Sequence, residues 1–263
     1  MYAFTYERPA SQADAAKLAQ AGGKLLAGGQ TLLASMKLRL AAPEQIVDLG
    51  AIADLKGIRR DGNAIVIGAM TLHADVAESA EVKAAIPALA ALASGIGDKQ
   101  VRARGTIGGS VANNDPAADY PAALMALGAT VRTNKREIKA DDFFQGLFTT
   151  ALDEGELITA VSFPIPKTAA YVKFPQPASL FALIGVFVAQ TDGGARVAVT
   201  GAGNGVFRHA GMEAALNGSF APAAVANVKT DAGEMSSDLH GSSAYRAHLV
   251  GVMTQRAVAK ALA

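Results

Sequence analysis

The period of the apolar positions changes repeatedly along the chain, and each change marks an element. Ser11 and Asp14 stand at capping-box spacing and open a helix predicted to run to Gln20 and stop at Gly22-Gly23. Residues 58–68 alternate about Asp61-Gly62, which predicts a hairpin with Ile65 and Ile67 on one face. A capped helix is expected from Thr71, and a second across 82–93, crossed by Pro87. Strands at 130–132 and 157–163 end at Pro164-Ile165-Pro166. Beyond that boundary, strands at 181–189 and 196–200 are joined through Asp192-Gly193-Gly194, and helices follow near 210–216, 221–228 and 244–262. The pattern contains no internal repeat and no heptad, and it divides naturally into 1–55, 56–166 and 167–263.

Composition narrows the function classes. At 263 residues and 51% hydrophobic side chains, the chain can bury a large core in two or three subdomains. Its 24 basic residues balance 23 acidic ones, which gives no electrostatic case for nucleic acid or anionic lipid. The one basic cluster, Lys99 to Arg104, has no interleaved aromatics and reads first as a solvated face. Cysteine is absent, so thiolate nucleophiles, disulfides and cysteine-ligated iron–sulfur clusters are excluded from this chain. The start has no secretory pattern and no apolar stretch is long enough to span a bilayer, so a cytoplasmic protein is expected.

Candidate chemistry concentrates at two glycine turns. The first is Ala27-Gly28-Gly29-Gln30-Thr31, running into Leu32; the second is Thr106-Ile107-Gly108-Gly109-Ser110. Glycine reaches positive φ and lets a ligand approach the main chain, so each turn can present successive bare N–H groups to an anion. A hairpin turn or bulge is the plainer reading of either one alone. After the second turn comes a polar loop containing Asn113 and Asp115, with Asp115 placed to cap a helix starting at Pro116. Asp119 falls one turn on, where it either accepts sugar hydroxyls or merely complements a helix N-terminus.

These two loops, in this order and with these sequels, together with Met36-Lys37 and a tail containing Tyr245-Arg246 and Gly251-Val252-Met253, resemble the FAD-binding medium subunits of the molybdenum hydroxylases. The resemblance spans nearly the whole chain. It implies an α+β architecture: a two-lobed FAD-binding fold of the vanillyl-alcohol-oxidase type, with a small α+β C-terminal domain. It implies that both loops bind the FAD pyrophosphate, that Asp119 contacts the flavin-side sugar chain, that Ile158 packs on the adenine and that Lys173 lies near the flavin ring. Ile158 alone reads as a buried strand residue, and Lys173 alone as a solvated strand lysine. The implied partners are a large subunit with molybdopterin and a small subunit with two [2Fe–2S] clusters, assembled as a dimer of heterotrimers. This chain would relay electrons through FAD without a general acid or base of its own. A self-sufficient flavin oxidase and an adenine-nucleotide-binding module are the alternatives.

Three further patterns carry little chemistry. Gly201-Ala202-Gly203-Asn204-Gly205 follows a strand but lacks the third glycine of a dinucleotide fingerprint, and reads as a tight turn. His73, His209, His240 and His248 show no metal-ligand spacing. Met36 and Met70 read as core fillers.

Overall fold

A computed structural model describes all 263 residues. Three larger sheets organise them, beside a two-stranded ribbon of Phe144–Gly146 and Thr149–Thr150. The first, in the N-terminal region, is parallel: Thr5–Glu7 and Lys24–Leu26 flank Gln45–Asp48. Helix Gln12–Gln20 crosses between its strands, capped by Ser11, whose Oγ accepts from the Asp14 N–H at 3.1 Å. Its buried Ala15 and Ala16 pack with Val47, Leu49, Ile52 and Leu55 in a small core.

The second sheet is antiparallel, ordered Ile58–Asp61, Ala64–Gly68, Ile158–Pro164, Thr130–Thr133, Glu137–Lys139. The hairpin is as expected, with Ile65 and Ile67 wholly buried. Helices Pro87–Ser94, Ile107–Asn113 and Tyr120–Leu127 pack with it in the largest core. The third sheet, Thr168–Pro175, Ala182–Thr191, Gly194–Thr200 and Phe207–Arg208, is buried on both faces. Phe187 and Ala189 join the large core, while Ile184, Val186 and Val188 pack with helix Ser243–Leu262 in a separate one. Two covered faces explain the near-continuous apolar run of the central strand. No helix is long and apolar enough to cross a membrane.

Four expected elements differ. The helix expected across 82–93 is two, Ala80–Ala85 and Pro87–Ser94, because a residue before proline is disfavoured in the α region; Ile86 sits at φ −140°, ψ 70°. The helix after Thr71 starts at His73, and Thr71 does not cap it: its hydroxyl donates to Gly57 O at 3.1 Å and accepts from Gly57 N–H at 3.0 Å. The helix expected at 221–228 is a single 3-10 turn, Pro222–Val225. Asp115 caps no helix. Its Oδ1 accepts from Ala117 N–H at 2.8 Å, and the helix begins at Tyr120 with Pro121 in its first turn.

Candidate functional site

A cleft of about 920 Å³ runs between the first sheet, the second glycine loop and segment 152–158, a volume in the range of cofactor sites. Ala27, Gly28, Gly29, Gln30, Thr31, Leu32, Thr106, Gly108, Gly109, Ser110, Asn113, Asp115, Asp119 and Ile158 all line it. Two expected residues do not. The Ile107 side chain is sealed in the large core, and Lys173 stands behind the wall.

The first glycine loop leaves strand Lys24–Leu26 and enters helix Leu32–Lys37. No acceptor in the chain takes the N–H of Gly28, Gly29, Gln30, Thr31 or Leu32, so five successive residues of the cleft lining keep an unspent donor. Gly29 has φ +74°, where an L side chain is strained. Gly28 is required for a different reason: a β-carbon there would lie 2.1 Å from the carbonyl oxygen of Arg104.

The second loop departs from expectation. It forms the first turn of helix Ile107–Asn113, and its N–H groups are largely spent inside the chain. Ile107 donates to Thr71 O at 3.1 Å and Gly108 to Ala69 O at 2.8 Å. Gly109 donates to the capping Thr106 hydroxyl at 3.2 Å. The glycines here serve close approach instead of positive φ. A β-carbon on Gly108 would strike Ala69 at 2.5 Å, and one on Gly109 would lie 3.2 Å from the Ala27 β-carbon, across the seam where the loops meet.

Asp119 is 5% exposed and is tied to the third sheet. Its Oδ1 accepts from the Tyr171 hydroxyl at 2.5 Å, and Lys173 Nζ lies 3.0 Å from the same oxygen. Lys173 also donates to Gly95 O at 2.8 Å and Leu180 O at 2.9 Å, so it is a half-buried ion-pair partner of Asp119 instead of the solvated strand lysine expected from its local sequence. Burial pushes the Asp119 carboxyl above the usual range, with the Lys173 charge and the Tyr171 hydrogen bond opposing it. Tyr171 reaches it because Gly185, on the neighbouring strand, has no side chain: a β-carbon there would lie 2.3 Å from the Tyr171 oxygen. From behind, Thr200 Oγ1 donates to Ala118 O at 2.7 Å and Gly201 N–H to Pro116 O at 2.8 Å. Tyr171 and Thr200 were absent from the sequence-based candidates, although Tyr171 and Lys173, two apart on a strand, had to share a face.

Opposite, Glu156 lines the cleft with its side chain fully buried. Arg136 grips it bidentately, Nε to Oε1 at 3.1 Å and Nη2 to Oε2 at 3.0 Å, which holds segment 152–157 in place. His73 is the other buried ionisable group of the wall. Burial, assisted by the Arg102 charge, lowers it from 6.5 to about 4. The unfolded chain therefore binds a proton that the folded chain refuses between those values, so stability is full above pH 6.5 and falls as pH drops towards 4. The loss from this group is on the order of 3 kcal/mol. Thermal melting of the apo protein from pH 7 to 4 should show it, and His73→Phe should flatten that slope; an unchanged slope would contradict the assignment.

The family described as "FAD binding domain in molybdopterin dehydrogenase" matches residues 2–166. The carbon monoxide dehydrogenase medium chain of Afipia carboxidovorans is 38% identical over 99% of this chain and 97% of its own length. The nicotine 6-hydroxylase medium subunit of Paenarthrobacter nicotinovorans is 35% identical over 98% and 97%. A solved carbon monoxide dehydrogenase from Hydrogenophaga pseudoflava contains a chain that superposes with a TM-score of 0.92 at 37% identity, covering 99% of this chain and 98% of that one. The five unspent N–H groups and the bare glycine seam thus lie inside the matched FAD-binding region, and the similarity continues through the third sheet to the C-terminal helix. The chain belongs to the FAD-binding medium subunits of the molybdenum-containing dehydrogenases.

Proposed function

We propose that this chain is the electron-relay subunit of a multi-subunit molybdenum hydroxylase, carrying electrons from an iron–sulfur partner through FAD to an external acceptor. The observation that carries this reading is the run of five unpartnered N–H groups, 28–32, on residues that line a cleft of about 920 Å³. Such a run fits the oxygens of a diphosphate, and bare glycines on both sides of the seam give it room. When bound, FAD supplies the redox chemistry, and the chain supplies binding, orientation and electrostatics.

In this reading the first loop, Ala27 to Leu32, donates to the pyrophosphate. Thr106, Gly108, Gly109 and Ser110 form the opposing wall, with Ile107 anchoring that wall to the core. Asn113, Asp115 and Asp119 offer polar atoms to the sugar chain, and Lys173 fixes Asp119. Ile158 supplies an apolar surface for the adenine. Residues 1–55 and 56–166 are the two FAD-binding lobes, and 167–263 is the C-terminal domain. The cleft receives walls from both lobes, and the C-terminal sheet braces the Asp115–Asp119 loop.

The relatives' designations as medium chains and subunits support further subunits beside this chain; in this reading they are a large molybdopterin-bearing partner and a small partner with two [2Fe–2S] clusters, in a cytoplasmic dimer of heterotrimers. The absence of cysteine is consistent with clusters ligated elsewhere. The substrate is then selected in the large subunit, consistent with relatives named for carbon monoxide and for nicotine.

Native complex purified through a tag on this chain should contain flavin, molybdenum and iron together, and the isolated chain should take up one FAD. Flavin without either metal would favour a self-sufficient flavin oxidase and overturn the relay assignment. Uptake of ADP with no flavin would reduce the cleft to an adenine-nucleotide site.

A further inference from the structure

We infer that His73 is a cofactor-facing residue of the cleft, a neutral imidazole whose Nε2–H donates a hydrogen bond to an acceptor atom of FAD; the inference rests on the proposed flavin site. His73 begins helix His73–Glu78, directly after Leu72, whose bridge to Thr106 ties this turn to the second glycine loop. Its N–H donates to Gly105 O at 2.9 Å. The ring lies so close over Gly105 that a β-carbon there would come within 2.6 Å of Nε2. The residue is only 5% exposed, and what surface it keeps belongs to the cleft wall shared with Met70, Thr106 and Asp119.

The two ring nitrogens are not equivalent. Nδ1 is sealed from solvent and has no partner, whereas Nε2 is not among the sealed atoms, and no group of the chain bonds it. A neutral imidazole carries one donor and one acceptor nitrogen. Sealing an N–H without an acceptor is less often tolerated than sealing a lone pair. That preference places the lone pair on Nδ1 and the proton on Nε2, the nitrogen left free for a ligand. Burial of the ring keeps it neutral at physiological pH, so the donor does not change with pH there. An imidazole that bonds nothing in its own chain costs folding free energy, and a hydrogen bond to the cofactor offsets that cost.

The test is FAD titration of the full chain by flavin fluorescence, paired with apo-protein melting, for wild type, His73→Phe, His73→Leu and His73→Gln. Loss of one hydrogen bond should raise the Kd about threefold to tenfold in His73→Phe. His73→Leu should show the same rise and serves where the phenyl ring does not pack. His73→Gln, which keeps an N–H donor of similar reach, should recover most of the affinity, and the apo protein should melt no lower in the apolar variants. Unchanged Kd in both apolar variants overturns the inference. Equal loss in Gln and the apolar variants, with a lower apo melting temperature, overturns it in favour of a packing role. Failure of wild type to bind FAD overturns the proposed function and this inference with it, whereas tight wild-type binding leaves the variants to decide this inference alone.

Discussion

Gly109→Val should raise the Kd for FAD by a hundredfold or more while the apo protein melts within a few degrees of wild type. The new β-carbon would lie 2.9 Å from Thr106 Oγ1 and 3.2 Å from the Ala27 β-carbon, and the γ-methyls would extend along the seam between the loops. The hydroxyl can turn aside, and Gly109 has helical backbone, so the fold loses little. The cleft cannot absorb the change as easily. Spreading the seam separates a diphosphate from the N–H groups at 28–32, and losing two charge-assisted bonds of roughly 1.5–3 kcal/mol each gives a factor of about a hundred at the least. Full flavin occupancy in Gly109→Val would remove the seam from the site.

Gly28→Val separates the two uses of glycine. Its β-carbon would meet Arg104 O at 2.1 Å and Gly105 Cα at 2.8 Å, and both obstacles are backbone. One loop must move, at a cost of about 3 kcal/mol, the upper end for overpacking, so this variant should lose both flavin affinity and apo stability. For a chain of this size that corresponds to roughly 6–12 °C of melting temperature. A Gly28→Val protein that melts like wild type would mean that the loops do not abut as described.

Local signals carried much of this architecture. The Ser11 cap, the hairpin with Ile65 and Ile67 inward and the first glycine turn each depend on neighbours within a few residues, and each is where the pattern placed it. What the sequence hid was distant. A glycine pair looks the same whether it serves positive φ, as Gly29 does, or contact with another segment's backbone, as Gly108 does against Ala69. Thr71 had the chemistry of a cap, but Gly57, fourteen residues earlier, uses its hydroxyl. The pre-proline restriction at Ile86 was legible and outweighs the apolar periodicity across it. Asp119 is the sharpest case. Its neighbours suggested a sugar ligand or a helix-dipole acid, and neither hinted at partners 52 and 54 residues away.

Those partners change what Asp119→Ala should do. Removing the carboxylate leaves Lys173, 11% exposed, with two carbonyl acceptors but no counter-charge, and strands the Tyr171 hydroxyl. Breaking a buried pair from one side costs about 3–5 kcal/mol, so the apo protein should be strongly destabilised, well beyond the effect of losing a helix-dipole acid. Asp119→Asn keeps an acceptor for Tyr171 and should cost less. Neither single variant isolates the cofactor, because a displaced loop also binds FAD poorly. The double variant Asp119→Asn/Lys173→Met removes both charges together and should return apo stability towards wild type, since a buried pair is often replaceable without loss. If Asp119 also accepts hydrogen bonds from cofactor hydroxyls, FAD affinity in the double variant should remain about tenfold to a hundredfold weaker than wild type. Recovery of both stability and affinity would confine Asp119 to bracing the C-terminal sheet against the cleft.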